Sequence, residues 1–220
     1  MMKKYELTSE FKINNFGTKL FRIKALVDIE SCGVKACDLG GFIEKEDNLS
    51  HEGNAWVSGD ACVSGNARVY GNARVSGNAR VYGNARVSGD ACVSGNACVS
   101  GNAWVSGDAR VYGNAWVSGD AWVSGNARVY GNAWVSGDAR VNGDDDYTTI
   151  KGFGTMYRTT TFFRCVDKEV RVTCGCFYGT IEEFRNQVKE TRTGKVANEY
   201  LKIADLMEEH FKKEDSGENV

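Results

Sequence analysis

The sequence contains no proline and only two histidines among its 220 residues. It has no run of about 18 apolar residues, so it predicts no transmembrane helix and no membrane partner. The stretch MMKKYELTSEFKINN at the start lacks the apolar core of a secretory signal. We therefore expect a cytoplasmic protein whose eight cysteines are reduced thiols. The formal net charge of −2 argues against general binding of bulk nucleic acid.

The sequence is rich in a six-residue repeat, Gly-(Asn/Asp)-Ala-x-Val-(Ser/Tyr/Asn), which runs through fifteen units from Gly53 to Asn142. Ala and Val lie two residues apart, so on a strand they point to one side and residue x points to the other. The Gly-Asn pair tolerates positive φ and turns the chain without proline. The repeat predicts a mainly β protein, a parallel β-helix with three units in each coil of about 18 residues and a height of roughly 24 Å.

Units such as VSGNAR and VYGNAW resemble the hexapeptide repeat of left-handed β-helix proteins, in which an aliphatic residue precedes a small residue by four positions. Val57 with Ala61 and Val63 with Ala67 match that pattern. The resemblance implies a left-handed coil. The GNARV wording and the flanks DLGGFIEKEDNLSHEGNAWV and RTTTFFR are also similar to poorly characterised repeat proteins of bacteria and phages. That similarity implies a phage-encoded protein that acts on a host defence component.

Residue x is restricted to three residue types: seven Arg, five Trp and three Cys. Every third unit falls on the same side of the prism, so these residues form three predicted columns. Exposed Trp beside Arg is the composition of interface hot spots. The alternative is that these side chains stack on one another and bind nothing. The candidate binding residues of the repeat are Arg86, Trp104, Trp122 and Arg140 in one column and Trp116 and Trp134 in another.

The resemblance suggests a sister subunit as the first partner, because left-handed β-helix proteins commonly form trimers. A foreign partner, either a protein or a nucleotide, is the second possibility. A nucleotide would suit the composition, since guanidinium groups bind phosphate and indoles stack on bases.

The same resemblance implies an alternative function, acyl transfer, with a histidine base at a subunit cleft and a loop that projects from a coil. Between Gly53 and Asn142 the sequence has no His, no Glu and no inserted loop, whereas a general base must reach its proton. His51 falls where the repeat would place a Val, so we interpret it as a buried or half-buried residue of an entry cap from Gly41 to Glu52, which keeps the repeat spacing but not its residues. The sequence therefore predicts no catalytic residue.

No cofactor and no metal site is predicted. The Asp residues of the repeat alternate with Asn at the turns, where both tolerate left-handed backbone and form hydrogen bonds along the corner. Cys165, Cys174 and Cys176 lie on predicted strands, and the sequence has no paired CxxC set. We interpret these cysteines as small core residues.

The sequence predicts four segments: an N-terminal β cap at 1–40, the β-helix at 41–146, an α+β module at 147–213 and a disordered tail at 214–220. In the cap, KYELT and LFRIKALVDI predict two strands that cover the end of the prism. In the module, TTTFFRCV and EVRVTCGCF predict a hairpin around Asp167-Lys168. Thr180 with Glu183 predicts a capping box, and the spacing of apolar residues predicts a second helix from Val196 to Phe211.

The module adds two candidate binding residues, Arg158 and Arg164, at the two ends of RTTTFFR. Taken together, these patterns predict a non-enzymatic binding or scaffold protein that forms homo-oligomers. An acyltransferase of the hexapeptide-repeat type and a purely structural oligomer are the alternative functions.

Overall fold

A computed structural model describes residues 3–212 of the chain. The chain forms two compact units, one that ends at Asp144 and one that begins at Asp145. The predicted tail at 214–220 lies outside the described residues. Among the residues described, no helix has the length and apolar character needed to cross a membrane.

Each repeat unit forms one strand of two residues, built from residue x and the Val that follows it. Three longer strands come first, β1 (Tyr5–Ile13), β2 (Lys19–Ala25) and β3 (Leu39–Ile43). The repeat strands β4 to β18 are Trp56–Val57, Cys62–Val63, Arg68–Val69, Arg74–Val75, Arg80–Val81, Arg86–Val87, Cys92–Val93, Cys98–Val99, Trp104–Val105, Arg110–Val111, Trp116–Val117, Trp122–Val123, Arg128–Val129, Trp134–Val135 and Arg140–Val141.

The repeat strands pair in parallel with the strands three units away, which confirms the predicted coil. Trp104, for example, lies opposite Trp122, 18 residues later. This pairing produces three flat faces. The first face contains β4, β7, β10, β13 and β16, the second contains β5, β8, β11, β14 and β17, and the third contains β6, β9, β12, β15 and β18. With the turn that precedes the repeat, the parallel β-solenoid has about six turns.

The inside of the solenoid is a continuous column of Val and Ala, as predicted. Val81 and Ala79, for example, are fully buried, and every other Val and Ala of the repeat is buried to within 1%. The turns need glycine for two reasons, which Gly101 illustrates. Its φ is +68°, and a Cβ there would lie 2.9 Å from the backbone nitrogen of Gly119 in the next coil, closer than side chains normally approach. The repeated Gly therefore satisfies both the left-handed turn and the close stacking of corners.

Asn side chains form hydrogen-bonded ladders along the corners, which confirms the predicted role of the turn residues. The Asn66 Nδ2 donates to Oδ1 of Asn84 over 3.3 Å, and the Asn84 Nδ2 donates to Oδ1 of Asn102 over 3.0 Å. Asn102 then donates to Oδ1 of Asp120 over 2.8 Å. Because an ionised Asp only accepts hydrogen bonds, this ladder ends at Asp120.

The N-terminal strands extend the second face of the solenoid. Strand β1 pairs antiparallel with β2, β2 pairs antiparallel with β3, and β3 pairs parallel with β5 of the repeat. Both predicted strands of the cap are therefore confirmed.

The turn before the repeat corrects the predicted position of His51. Ile43 and Leu49, not His51, lie in the buried columns, opposite Val63 and Val69. Leu49 and Val57 are eight residues apart, so two extra residues precede the first full unit. His51 falls in this insertion, and the predicted Val position for it is wrong, although it is half-buried.

Lys4 of the cap and Asn48 of the turn before the repeat provide the hydrogen bonds that a preceding coil would otherwise make. Within the repeat, carbonyl oxygens of Gly and Ala accept hydrogen bonds from backbone N–H groups of the coil before. At the first coil, Lys4 Nζ donates to the oxygens of Gly53 and Ala55 over 3.2 and 2.8 Å. The Asn48 Nδ2 donates in the same way to Gly65 and Ala67 over 3.1 and 2.8 Å. Carbonyl groups that would otherwise be unpaired are thereby satisfied.

The second unit is a four-stranded antiparallel sheet covered by two helices. Its strands are β19 (Tyr147–Phe153), β20 (Arg158–Arg164), β21 (Val170–Cys174) and β22 (Phe177–Thr180), and its helices are α1 (Ile181–Thr191) and α2 (Gly194–Phe211). The predicted hairpin, β20 with β21, is confirmed. The predicted capping box at the start of α1 is present.

One apolar core holds this unit together. Phe162 and Val172 of the sheet pack with Phe184 of α1 and with Ile203 and Met207 of α2. The predicted apolar face of the second helix packs on the hairpin.

Candidate functional site

The third face has a column of stacked aromatic and guanidinium groups. The rings of Trp104 and Trp122 are parallel to within 4°, with centroids 4.8 Å apart. The guanidinium carbon of Arg86 lies 5.9 Å from the Trp104 ring, and that of Arg140 lies 5.3 Å from the Trp122 ring. The predicted order of the column, Arg86, Trp104, Trp122 and Arg140, is confirmed. Such contacts contribute about 0.5–1 kcal/mol each at exposed sites.

Serine hydroxyls of the neighbouring coil fix the indoles against the face. The Nε1–H of Trp104 donates to Oγ of Ser88 over 3.0 Å, and that of Trp122 donates to Oγ of Ser106 over 3.3 Å. Each Ser lies 16 residues before its Trp, so the repeat itself provides this pairing. The N–H groups are satisfied within the protein, and the indole edges that face solvent carry only C–H groups.

The second face has a similar pair of indoles. Trp116 and Trp134 stack with centroids 5.6 Å apart and planes 20° from parallel. Trp134 donates its Nε1–H to Oγ of Ser118 over 3.3 Å. The strand before the pair carries Cys98 opposite Trp116, and burial raises the pKa of the Cys98 thiol. Three of these indoles remain substantially exposed: Trp116 by 42%, Trp122 by 37% and Trp134 by 38%.

The first face differs because it has no pair of indoles. Its column is Trp56, Arg74, Cys92, Arg110 and Arg128. Trp56 is only 4% exposed and packs edge-on against Tyr5 of the cap, with centroids 6.5 Å apart. The exposed tryptophans are therefore restricted to the second and third faces, in adjacent coils.

The stacked column of the third face leaves little open indole ring surface on which a flat ligand could stack. Each of its two indoles has one ring face against the other indole and the opposite ring face towards an arginine. What the column presents outward is a strip of apolar ring edges between two positive charges. Such a strip suits contact with another protein surface better than insertion of a nucleotide base, which needs an open ring face.

His51 is held by the cap. Its Nδ1 accepts a hydrogen bond from the backbone N–H of Lys4 over 3.2 Å, and its ring stacks on Tyr5 with centroids 4.3 Å apart. Its Nε2 lies 3.9 Å from Oε2 of Glu46. These contacts position His51 as a packing residue between the first strand and the turn before the repeat.

The two predicted binding residues of the second unit have different surroundings. Arg164 Nε lies 3.4 Å from Oδ1 of Asp146, and its NH2 donates to the backbone oxygen of Phe211 over 2.8 Å. Arg158 lies at the other end of β20 and lines a pocket of about 170 Å³ with Arg192 and Tyr200. The structure therefore does not bring Arg158 and Arg164 together.

The cysteines are all free thiols in this structure. Within residues 3–212, no three His, Cys, Asp or Glu side chains are grouped so that they could hold a metal ion. Cys165 is buried, Cys174 is half-buried and Cys176 is exposed. The interpretation of Cys176 as a core residue is therefore wrong, because it lies at the turn between β21 and β22.

Sequence reasoning missed several residues that define these surfaces. Ser88 and Ser106 carried a signal, since each lies two residues after an x position and one coil before a Trp. Arg192 and Tyr200 carried none, because they meet Arg158 only through the packing of two helices on a sheet. Lys4 also carried none, since lysine near a terminus is usually exposed.

Comparison with known proteins supports the solenoid. A family model described as the YdcK beta solenoid repeat matches seven overlapping stretches of the chain, residues 61–77, 67–81, 79–95, 91–107, 103–119, 109–125 and 121–137. No curated protein matches the chain significantly. The match lies wholly within the coils described above and does not extend to the cap or the second unit. The chain is a β-solenoid repeat protein, similar in its coils to the YdcK repeat.

Proposed function

We propose that this protein is a non-enzymatic binding scaffold and that the tryptophan pairs of its second and third faces form the contact surface. The single observation that carries the proposal is the stacked column on the third face, where Trp104 and Trp122 present apolar edges between Arg86 and Arg140. The first partner is a second copy of this chain, in a homo-oligomer for which a trimer is the favoured form.

The chemistry of the column supports a protein partner. The indole N–H groups are already satisfied by Ser88 and Ser106, so a partner covers the C–H edges without leaving a donor unpaired. Arg86 forms no ion pair among the residues described. Large aromatic edges beside arginines are typical of the residues that contribute most to interface affinity.

The uninterrupted coils support a scaffold over the acyltransferase alternative. Every strand from Trp56 to Arg140 begins six residues after the one before it, so no loop projects from a coil to form a substrate cleft. His51 is engaged by Lys4 and Tyr5. The scaffold therefore presents flat faces, and flat faces suit macromolecular contact.

The resemblance of the GNARV wording to repeat proteins of bacteria and phages extends this proposal to a biological setting. In that setting the protein is phage-encoded, acts in the host cytoplasm and binds a component of a defence system. The closed ring stack favours a protein component over a nucleotide signal, for the reason of ring access given above.

The test replaces Trp104 and Trp122 together with Ser, written Trp104→Ser/Trp122→Ser. The inner Val and Ala column is unchanged, so folding is retained with a modest loss of stability. Sedimentation velocity is expected to show an oligomer for the parent and a monomer for the double variant, since a central interface Trp contributes about 2 kcal/mol or more.

A matched control changes two neighbouring x positions on the first face, Cys92→Ser/Arg110→Ser, and is expected to keep the parent's oligomeric state. A parent that sediments as a monomer overturns self-association. A double tryptophan variant with the parent's oligomeric state and unchanged capture of partners shows that the indoles only stack on one another, which overturns the binding role.

A further inference from the structure

The arginines of the second unit fall into two classes. Arg164, Arg171 and Arg185 each pair with at least one carboxylate: Asp146, Asp167, and the group of Glu182, Asp205 and Glu208, respectively. Arg158 and Arg192 form no ion pair with any residue between 3 and 212. Since this unit has carboxylates and uses them to pair three arginines, the two that remain unpaired need a separate explanation.

Both unpaired arginines line the same pocket, which we name the arginine pocket. It is formed by the turn before β20, the end of the β21–β22 hairpin, the last turn of α1 and the first half of α2, and it has a volume of about 170 Å³. Arg158 and Arg192 supply its charge, and Phe177, Phe184 and Val188 supply its apolar wall. Among the described residues that line it, none is acidic.

Tyr200 is a third polar residue of the arginine pocket. Its hydroxyl donates to the backbone oxygen of Phe153 over 3.2 Å. Burial and the neighbouring Cys174 raise the pKa of Tyr200, whereas the positive charges of Arg192 and Arg158 lower it. Arg158 and Arg192 line the same pocket as this phenol.

Two glycines leave the space that these groups occupy. A Cβ at Gly175 would clash with the guanidinium of Arg158, and a Cβ at Gly154 would clash with the hydroxyl of Tyr200. Both glycines have a positive φ, +64° at Gly175 and +70° at Gly154, and residues with a Cβ rarely adopt such a φ. Glycine at these two positions therefore leaves room for Arg158 and Tyr200 to take the places they have in the pocket wall.

From these observations we infer that the arginine pocket binds a small organic anion, a carboxylate or phosphate monoester joined to an apolar ring. Two guanidinium groups suit the oxygens of such an anion, because each offers several N–H donors in a fixed plane. A dry cavity of about 150 Å³ holds a benzene ring, so this pocket has room for one ring and part of its substituent. The inference rests on the second unit alone and is independent of the proposed role of the solenoid faces.

The test measures binding of four probes to the full chain by isothermal titration calorimetry. Phenyl phosphate and benzoate carry both the charge and the ring, inorganic phosphate carries only the charge, and benzyl alcohol carries only the ring. We expect phenyl phosphate to bind at least tenfold more tightly than either inorganic phosphate or benzyl alcohol. The affinity of benzoate is expected to lie between that of phenyl phosphate and those of the two single-feature probes. Equal binding of phenyl phosphate and either single-feature probe overturns the inference.

Variants then place the charge requirement. Arg158→Gln and Arg192→Gln are each expected to weaken binding of phenyl phosphate at least tenfold. The control is Lys189→Gln, which removes a positive charge three residues before Arg192 but outside the pocket and is expected to change affinity by less than about twofold. Circular dichroism of each variant verifies the fold. An equal loss in the lysine variant would mean that phenyl phosphate responds to net charge alone, and the inference fails.

A second readout locates the ligand without any substitution. Cys176 lines the pocket and is exposed, whereas Cys37 is exposed in the other unit. Phenyl phosphate is expected to slow alkylation of Cys176 by iodoacetamide severalfold while Cys37 reacts at its original rate, as measured by mass spectrometry of the digested protein. If both thiols react at their original rates at saturating phenyl phosphate, the ligand does not occupy this pocket.

Discussion

The solenoid and the second unit both bury apolar side chains and pair their backbone groups, but the solenoid does so with a repeated sequence and the second unit with a unique one. The solenoid fills its interior with Val and Ala at every coil and pairs its backbone by a repeated register. The second unit fills its core with different residues, such as Phe162, Phe184 and Met207, each in a place of its own. A repeated interior fixes the fold whichever of Arg, Trp or Cys occupies position x, whereas in a unique interior each buried side chain has its own neighbours.

This difference shows where functional residues are recognisable. On the solenoid, Arg stacked on Trp is compatible with the ladder, so the distinguishing feature is the restriction of exposed tryptophans to two faces. In the second unit most arginines form ion pairs with carboxylates. The distinguishing feature is that Arg158 and Arg192, which line one pocket, form none with residues 3–212. In each unit the candidate site is therefore the place where side chains depart from the pattern of the rest of that unit.

The largest expected effect tests the division between inside and outside in the solenoid. Val81→Asp places a charge in the fully buried column and should lower the free energy of unfolding by about 5 kcal/mol or more, since no partner is available there. Its neighbour Arg80 is exposed, so Arg80→Asp should change that free energy by no more than about 0.5 kcal/mol.

Tryptophan emission during denaturation in urea measures both variants, because all five tryptophans lie in the solenoid. Equal effects of the two substitutions would show that the in-and-out assignment of the strand is wrong.

The next effect concerns the unique core of the second unit. Phe162 is fully buried and packs edge-on against Phe184, with centroids 6.3 Å apart. Phe162→Ala should lower the stability of this unit by about 3–5 kcal/mol. The measurement is ellipticity at 222 nm, because both α-helices of residues 3–212 belong to this unit. Val166→Ala, at a side chain that is 58% exposed, is the control and should leave the transition in place.

The smallest effect is a dependence on pH at the capped end of the solenoid. Burial lowers the pKa of Lys4 to about 8 from its ordinary value of 10.5. The folded state therefore binds this proton less tightly than the unfolded state, and the cost of the buried charge is present below pH 8. As the pH rises from 8 towards 10.5 that cost is removed, and the contribution of Lys4 to stability increases.

The comparison with Lys4→Met isolates this contribution from the titration of thiols and phenols. The free energy of unfolding of the parent minus that of the variant should be more positive at pH 10 than at pH 7, by about 1 kcal/mol once solvent screening is allowed for. A difference that shrinks as the pH rises would contradict the assignment of a buried, charged Lys4.

The repeat made the solenoid predictable, because every coil repeats the same local evidence. Fifteen matching units are enough to predict the 18-residue pairing and the stacking of Trp104 on Trp122. The turn before the repeat was less predictable. There Ile43 and Leu49 keep the six-residue spacing, but two extra residues separate them from the first full unit. The predicted Val position of His51 is wrong for this reason.

The arginine pocket was not predictable for a different physical reason. Arg158, Arg192 and Tyr200 are separated by up to 42 residues and follow no shared period. They meet because two amphipathic helices pack on a sheet at angles that depend on many side chains together. Sequence patterns identified the helices, the hairpin and the capping box, but not which of their polar residues would converge.

The three-unit coil has a consequence for how a gene of this kind can change in length. Gain or loss of DNA that encodes a whole coil of 18 residues leaves every later side chain on its original face. Loss of a single unit, such as residues 89–94, would instead move Trp104 and Trp122 from the third face to the second and Trp116 from the second to the first. Recombination between identical repeats can thus lengthen the protein or re-sort its surface while the hydrophobic column stays intact.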